Sequence, residues 1–202
     1  MTPEARALHA RLEHLGSVAD ARVVVRVLDA PVGPLVAAAT DQGLALLEFG
    51  AERRLASQLA VLTRLFGPVR LGTNALLDRA ERELTEYFNG ARQVFEVPLT
   101  IRGTPFQESV WRALLAIPYG ETRAYSDIAT ELGLVNGQRA VGLANGRNRI
   151  AIIIPCHRVI EQGGGLRGYG GGLPNKKFLL DLERRFVDPF LGTPFARARA
   201  TD

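Results

Sequence analysis

Residues 21–50, ARVVVRVLDAPVGPLVAAATDQGLALLEFG, constrain the fold more than any other stretch of the chain. Three runs rich in Val, Leu and Ala lie at 23–28, 33–39 and 44–49. Each is too short for an apolar helix and has the β-branched content of a strand. The separators DAPVGP and TDQG carry Pro, Gly and Asp, which favour tight turns. The stretch therefore predicts an antiparallel three-stranded meander. Helices flank it: Pro3 to Leu15, Glu52 to Phe66 with Leu55, Leu59, Leu62 and Phe66 on one stripe, and Leu76 to Phe88, which NGARQ stops. VFEVPLT reads as a short strand or extended connector.

The character changes after RGTPFQ. Thr104 can cap a helix with Pro105 at its first position and Gln107 three residues on. Phe106, Val110, Trp111, Leu114 and Leu115 give that helix an apolar face. The remainder reads as helical apart from a glycine-rich loop, EQGGGLRGYGGGLPN. The predicted fold class is α+β. A small α/β domain spans 1–98 with a connector to about 103, a mainly helical domain spans 104–186, and 187–202 form a tail.

Apolar residues make up 47% and charged residues 23% of the chain, enough for a packed core. No run approaches the roughly 20 apolar residues of a membrane span. The first residues, MTPEARALHARLEHLG, lack the apolar segment of a signal peptide. These features predict a soluble, cytoplasmic protein with no membrane partner. A single cysteine excludes an internal disulfide and any cysteine-cluster zinc site, so no metal is expected; no cofactor is expected either. Charge is uneven. Residues 1–100 hold 11 basic and 12 acidic side chains, and residues 101–202 hold 14 and 9. Between Val135 and Ile160 stand Arg139, Arg147, Arg149 and Arg158 with no acid, a distribution suited either to a polyanion or to an arginine-rich surface.

AYSDIATELGLVNGQRAVGLANGRN predicts two short helices, one capped by Ser126 and running to Leu132, the other Gln138–Asn145, joined by a glycine-containing turn. That is helix-turn-helix order, although a helical hairpin in a core reads the same way. Ala140, Gly142 and Ala144 are small, and Arg139 is the one large charged side chain in the second helix. Small residues let a helix backbone press against a groove.

The only cysteine sits in IAIIIPCHRVI, behind Pro155 and beside His157. AIIIPC reads as a buried strand or extended run whose proline fixes Cys156 at the core edge. Free cysteine is commonly a small buried hydrophobe. An adjacent imidazole adds chemistry, because a thiol reacts as its thiolate and needs a base to accept its proton. Neighbours in an extended chain point to opposite faces, so a water would have to bridge the sulfur and the imidazole. Glu183 lies beside the apolar stripe Leu179, Leu182, Phe186 and can orient that imidazole, or else lie solvated among arginines. Tyr169, in the middle of the glycine-rich loop, could stack on a flat ring.

IPCHRVI, GYGGGL followed by a lysine and LL.LE, RAVG.ANGRN, and YFNG through GTPFQ.SVW.AL..IPYGET resemble the O6-alkylguanine-DNA alkyltransferases. The resemblance runs from about Ala30 to Glu183 and is dense from Gly103 onward. It implies a small α/β domain of RNase-H-like topology with a three-stranded sheet, followed by a helical DNA-binding domain. It implies base flipping and transfer of the alkyl group from guanine O6 to Cys156 in one irreversible turnover, with O4-alkylthymine a further candidate substrate. By the resemblance, His157 is the base acting through a water and Glu183 orients it. Tyr125 helps evert the nucleotide and donates toward the leaving guanine, and Asn148 holds the turn between helix and active site. Arg139 fills the stack, with Tyr125, Gln138, Ala140, Gly142 and Arg147 also facing DNA. Pro155, Val159, Tyr169 and Gly170 line the guanine pocket, and Lys176 supports the cysteine backbone. The implied partner is double-stranded DNA carrying O6-alkylguanine, met by a monomer able to cluster on DNA.

Two positions depart from the family pattern. Arg149 stands where a proline is usual, which would loosen the turn and add a phosphate contact. Gly170 stands for a serine or alanine, which would leave more room by the pocket. Two other functions remain in play: a non-catalytic lesion sensor, whose relatives carry tryptophan for the cysteine, and a thiol hydrolase using Cys, His and Glu.

Overall fold

A computed structural model describes residues 1–15 and 20–187 of the chain. The three Val/Leu runs form β1 (Val23–Leu28), β2 (Leu35–Ala39) and β3 (Leu44–Phe49). The second begins later than its composition suggests, because Gly33 takes φ +88° inside the preceding turn. The predicted meander is present: β1 pairs antiparallel with β2, and β2 with β3. A fourth strand, β4 (Val69–Leu71), joins parallel to β1, giving the order β3-β2-β1-β4. Three residues are too few to show a period, so no pattern in the sequence announced it.

Both faces of the sheet are covered, and that is why its strands read as nearly unbroken apolar runs. One face (Val23, Val25, Val27, Val36, Ala38, Leu46) packs against α1 (Pro3–Leu12) and α2 (Glu52–Phe66) through Leu8, Leu12, Leu55, Leu59 and Leu62. The other (Val24, Leu28, Leu35, Ala37, Leu47, Phe49) packs against α3 (Ala75–Phe88) and continues into the core of the second half. Trp111, Leu114, Val141, Ile150, Ile154, Cys156 and Leu179 belong to that same cluster.

Edge strand β3 organises the junction. Its Leu44 exchanges backbone hydrogen bonds with the connector, Leu44 N–H to Pro98 O at 2.7 Å and Thr100 N–H to Leu44 O at 2.8 Å. Its Leu47 does the same with the segment leading to the cysteine, accepting from Ala151 N and donating to Arg149 O, each at 2.8 Å. Gly43 is required beside this junction, since a Cβ there would lie 2.6 Å from Pro98 O. The edge is thereby paired rather than left open.

In the second half, α4 (Pro105–Leu115) begins with the expected capping box between Thr104 and Gln107. Next come α5 (Tyr125–Glu131), α6 (Gln138–Gly146) and α7 (Gly172–Val187). Ser126 is not the cap of α5. It lies inside the helix with its hydroxyl buried and without a partner among the described residues, and the Asp127 carboxylate accepts from Ala124 N–H instead. A two-residue parallel pair, β5 (Arg123–Ala124) with β6 (Val159–Ile160), fastens the start of α5 to the chain just after His157 and Arg158.

Of the two forms expected at AIIIPC, a buried strand or an extended run, neither persists to Cys156. Only Ile150 and Ala151 meet β3. The chain then turns at Ile152, a fully buried β-branched residue at φ +70°, and Ile153 N–H and Cys156 N–H bond back two residues, to Ala151 O and Ile154 O. A β-branched residue in this region is strained, and the surrounding core must hold it. Of the expected tail, only Val187 belongs to the described residues, where it closes α7.

Candidate active site and nucleic-acid interface

The turn at Ile152 ends in a short 3-10 turn, Cys156–Arg158, behind Pro155. Asn148 shapes it. Its amide oxygen accepts from Ile150 N at 3.0 Å, and its amide nitrogen donates to Ile154 O at 2.8 Å and to Cys156 Sγ at 3.1 Å. Burial pushes the Cys156 thiol up to about 11, although the Asn148 hydrogen bond pulls the other way. The thiol in this arrangement is protonated at neutral pH and needs a base.

His157 and Glu183 are both fully buried and in contact, with Nε2 2.8 Å from Oε1. Glu183 also accepts from the Tyr87 hydroxyl at 2.7 Å, Gly120 N–H at 3.0 Å, and Arg158 through Nε and Nη2, each at 2.9 Å. Burial alone would raise this carboxyl, but the bonds from His157 and the Arg158 guanidinium win and hold it down at about 2. Burial lowers His157, with the Glu183 contact opposing. Arg158 already neutralises the carboxylate, so we assign a neutral imidazole. Its Nε2–H then donates to ionised Glu183, and Nδ1 is left as a bare acceptor. Nδ1 is buried and has no partner among the described residues. No hydrogen bond joins Sγ to the His157 ring among the described residues, in keeping with the opposite-face expectation.

Tyr169 closes one side. Its ring packs edge-on against Phe49 at 5.5 Å and against His157 at 6.5 Å, and its buried hydroxyl has no partner among the described residues. Lys176, fully buried, donates to Val159 O at 2.6 Å and Arg167 O at 3.2 Å, tying the thiol turn to the glycine-rich loop. Pro155 and Val159 are buried directly before and after the turn.

The cavity at Cys156 has a volume of about 10 Å³ and is bounded by Glu48, Phe49, Arg54, Asn145, Asn148, Tyr169 and Gly170 among others. Across Gly168 it adjoins a cleft of about 640 Å³ between the helix pair and the loop. That cleft is lined by Tyr125, Gln138, Arg139 and Gly142 on one side and Glu161, Gln162 and Arg167 on the other. Ala140 is exposed on α6 next to Arg139, while Arg147 is exposed just past its end. Burial raises the Tyr125 phenol, with Cys156 adding to the shift, so it stays neutral and able to donate.

Three readings of charge and space change here. Arg158, counted among the cationic stretch, is buried on Glu183 and Ile117 O. Arg149 is no free phosphate ligand: its guanidinium lies 5.5 Å over the Trp111 ring and donates to Arg102 O. The space left by Gly170 is filled, because a Cβ there would meet the Arg54 guanidinium at 2.8 Å. Sequence reasoning also missed Tyr87, Asn145, Arg54 and Glu48. Only Glu48 left a signal, a lone acid in the apolar run LALLEF. Leu143, 66% exposed on α6, gave none.

Comparison with known proteins fits this geometry. The model of the 6-O-methylguanine DNA methyltransferase, ribonuclease-like domain matches residues 23–101, and that of the 6-O-methylguanine DNA methyltransferase, DNA binding domain matches 105–185. A methylated-DNA–protein-cysteine methyltransferase of Methanosarcina barkeri is 46% identical over 158 residues, covering 78% of this chain and 94% of that protein. One of Mycobacterium tuberculosis is 44% identical over 162 residues, covering 79% and 91%. The crystal structure of Mycobacterium tuberculosis OGT in complex with DNA superimposes with a TM-score of 0.71 at 44% identity, covering 81% of this chain and 94% of that one. The chain belongs to the 6-O-methylguanine DNA methyltransferase family.

Proposed function

We propose that this protein repairs DNA by taking the alkyl group from O6-alkylguanine onto Cys156, and that it is consumed in doing so. The observation that carries the reading is a thiol held by Asn148 one residue from a neutral imidazole, whose Nε2 is bound to ionised Glu183 and whose Nδ1 is free. Buried O6 atoms cannot be reached within a duplex, so the damaged nucleotide is everted. The helix pair docks on double-stranded DNA, with Tyr125, Gln138, Arg139, Ala140, Gly142 and Arg147 facing it. Arg139 occupies the gap in the stack. Pro155, Val159, Tyr169 and Gly170 surround the everted base.

In the transfer, the Cys156 proton passes through a water to His157 Nδ1, and Glu183 stabilises the imidazolium. Sγ attacks the saturated carbon on O6, a C–S bond forms, and the C–O6 bond breaks. Its electron pair stays with guanine, toward which the Tyr125 hydroxyl donates a hydrogen bond, and the proton released by Cys156 and held on the His157 imidazolium returns through solvent to balance the guanine anion. The thioether has no acyl bond for water to hydrolyse, so one molecule repairs one lesion. Asn148 and Lys176 support the turn and do not react. O4-alkylthymine is a second candidate substrate. The working species is a monomer, able to cluster on DNA, in the cytoplasm, where a free thiol persists. No helix among the described residues is long and apolar enough to cross a membrane. The supporting residues split across two segments: 1–98, with its connector, and 104–186, followed by a tail.

Incubation with a duplex oligonucleotide containing O6-methylguanine tests the reading. One methyl group on the Cys156 peptide, with repair stoichiometric in protein, is expected. Binding without mass gain would indicate a lesion sensor, and repeated turnover of an ester would indicate a hydrolase.

A further inference from the structure

The cavity at Cys156, about 10 Å³, has room for roughly one water and none for a purine. Something in its wall must leave before any nucleobase reaches the sulfur. Phe49, Asn145, Asn148, Ala151 and Cys156 are buried in the core, Glu48 is buried beneath Arg54, the half-buried Tyr169 ring is packed edge-on against Phe49 and His157, and Gly146, Gly168 and Gly170 have no side chain to withdraw. Arg54 is different. Its side chain is 29% exposed, and it enters the wall from α2, far before the thiol turn in sequence.

Three polar contacts hold the guanidinium in place. Nε meets buried Glu48 Oε2 at 2.6 Å, Nη1 donates to Gly146 O at 3.0 Å, and Nη2 donates to Asn148 O at 3.1 Å. The last two carbonyls belong to the end of α6 and to the residue that hydrogen-bonds Sγ. A Cβ at Gly170 would lie 2.8 Å from the Arg54 guanidinium carbon and 2.9 Å from Nε, so the glycine leaves the volume that Arg54 occupies. On its far side, Arg54 borders an open groove of about 950 Å³ into which it can withdraw, beside Ser57, Gln58 and Arg64.

We propose that Arg54 is a removable plug of the thiol pocket and, with Glu48 as its anchor, a specificity-determining residue for alkyl transfer. Its guanidinium occupies space that the nucleobase needs. An electrophile reacts only with molecules in which the Glu48, Gly146 and Asn148 contacts have been released. The apparent reactivity of Cys156 is then its intrinsic reactivity multiplied by the open fraction. Arg54 thereby shields the sulfur from bulky electrophiles met by chance. The inference rests on Cys156 being the alkyl acceptor.

The rate of Cys156 alkylation by free O6-benzylguanine, followed by mass, tests it. Arg54→Ala should accelerate the reaction about tenfold, as expected for an open fraction of about one tenth in the unaltered protein. Arg54→Lys, which keeps the pairing charge without the three-pronged grip, should fall between. Glu48→Gln should also accelerate, and the two gains should not multiply in the double variant, because they release one contact. A residue with only a structural role would not speed the chemistry when lost. An Arg54→Ala rate equal to or below that of the unaltered protein overturns the plug. Where Glu48→Gln fails to fold, the two Arg54 variants decide alone. If the unaltered protein takes no methyl group from lesion-containing DNA, the function itself fails, a result distinct from an unmoved Arg54→Ala rate.

Discussion

His157 Nε2 lies 2.8 Å from Glu183 Oε1, and the opposite ring nitrogen, Nδ1, is buried with no partner among the described residues. Burial lowers the imidazole below its ordinary range, so it is neutral and basic at pH 7. Alkylation should therefore be flat above neutrality and fall on acidification, as His157 takes a proton below its usual pKa of about 6.5. Glu183→Gln removes the anion that supports the imidazolium and should slow alkylation by roughly a hundredfold at pH 7, within the span typical of a general base. Rate against pH, with duplex binding measured in parallel, checks this. An unchanged rate would mean that the carboxylate does not orient the base.

The same pair governs acid stability. Glu183 is held down at about 2 in the fold, against an ordinary 4.5. Its contribution is complete above 4.5 and is lost as pH falls from there toward 2, about 3 kcal/mol in all by linkage. His157 is also lowered, so its share is present above its unfolded value and starts to go first, as pH drops below the ordinary histidine range. Urea unfolding at pH 7, 5 and 3 should show a stepwise loss. Glu183→Gln should flatten the lower step while costing about 3 kcal/mol or more at pH 7, because Arg158 is left buried without its anion.

How far the sequence disclosed this site depended on how local each signal was. Cys156 and His157 are neighbours, and Glu183 sits beside a helical stripe, so both could be read from short stretches. The charge of Arg158 was visible but its burial was not. Four arginines without an acid read as a surface until one proves to face Glu183. Arg54 and Glu48 were out of reach, because only the packing of α2 and β3 against the end of α6 brings them to the thiol. AIIIPC has strand composition, yet β3 offers it pairing at Leu47 alone, and the Asn148 side chain then claims the carbonyls that a strand would use. Antiparallel pairing of the meander followed from its apolar runs and turns, whereas β4 was too brief to leave a pattern.

Asn148 should matter to both stability and thiol chemistry. Asn148→Ala leaves Ile150 N–H and Ile154 C=O without their side-chain partners and opens a small void. A cost of about 2–4 kcal/mol is expected from two lost buried hydrogen bonds. The bond to Sγ favours the thiolate, so its loss should push the thiol further up. The pH dependence of iodoacetamide labelling reads this directly, and a midpoint that stays put or moves down would contradict the role given to Asn148.

Arg149 makes a structural prediction where the sequence suggested a phosphate contact. Its guanidinium covers the Trp111 ring, and burial lowers its pKa. Arg149→Ala should lower stability by about 1 kcal/mol, the worth of a partly buried cation–π contact, with a Tm fall of roughly 2–4 °C at this size. Affinity for undamaged duplex should change less than in Arg147→Ala, since Arg147 stands exposed at the end of α6. A larger loss of affinity in Arg149→Ala would mean that it leaves Trp111 for DNA.

Substitution of Arg139 should separate eversion from the chemistry. It is exposed near the start of α6 and lines the 640 Å³ cleft with Tyr125 and Gly142, on the other side of Gly168 from the thiol. A free base needs no eversion, but a lesion in duplex must be unstacked at a cost of a few kcal/mol, and a side chain filling the gap offsets part of that cost. Arg139→Ala should therefore slow repair of O6-methylguanine in duplex by roughly ten- to a hundredfold, equivalent to about 1.4–2.7 kcal/mol. Reaction with free O6-benzylguanine should fall far less, because Arg139 lines the outer cleft and is not among the residues that bound the cavity at Cys156. Single-turnover rates on the two substrates give the comparison. Equal losses on both would remove the stack-filling role and leave Arg139 as a support of the site, while a duplex lesion placed opposite an abasic site, where less stacking opposes eversion, should recover part of the rate lost by the variant.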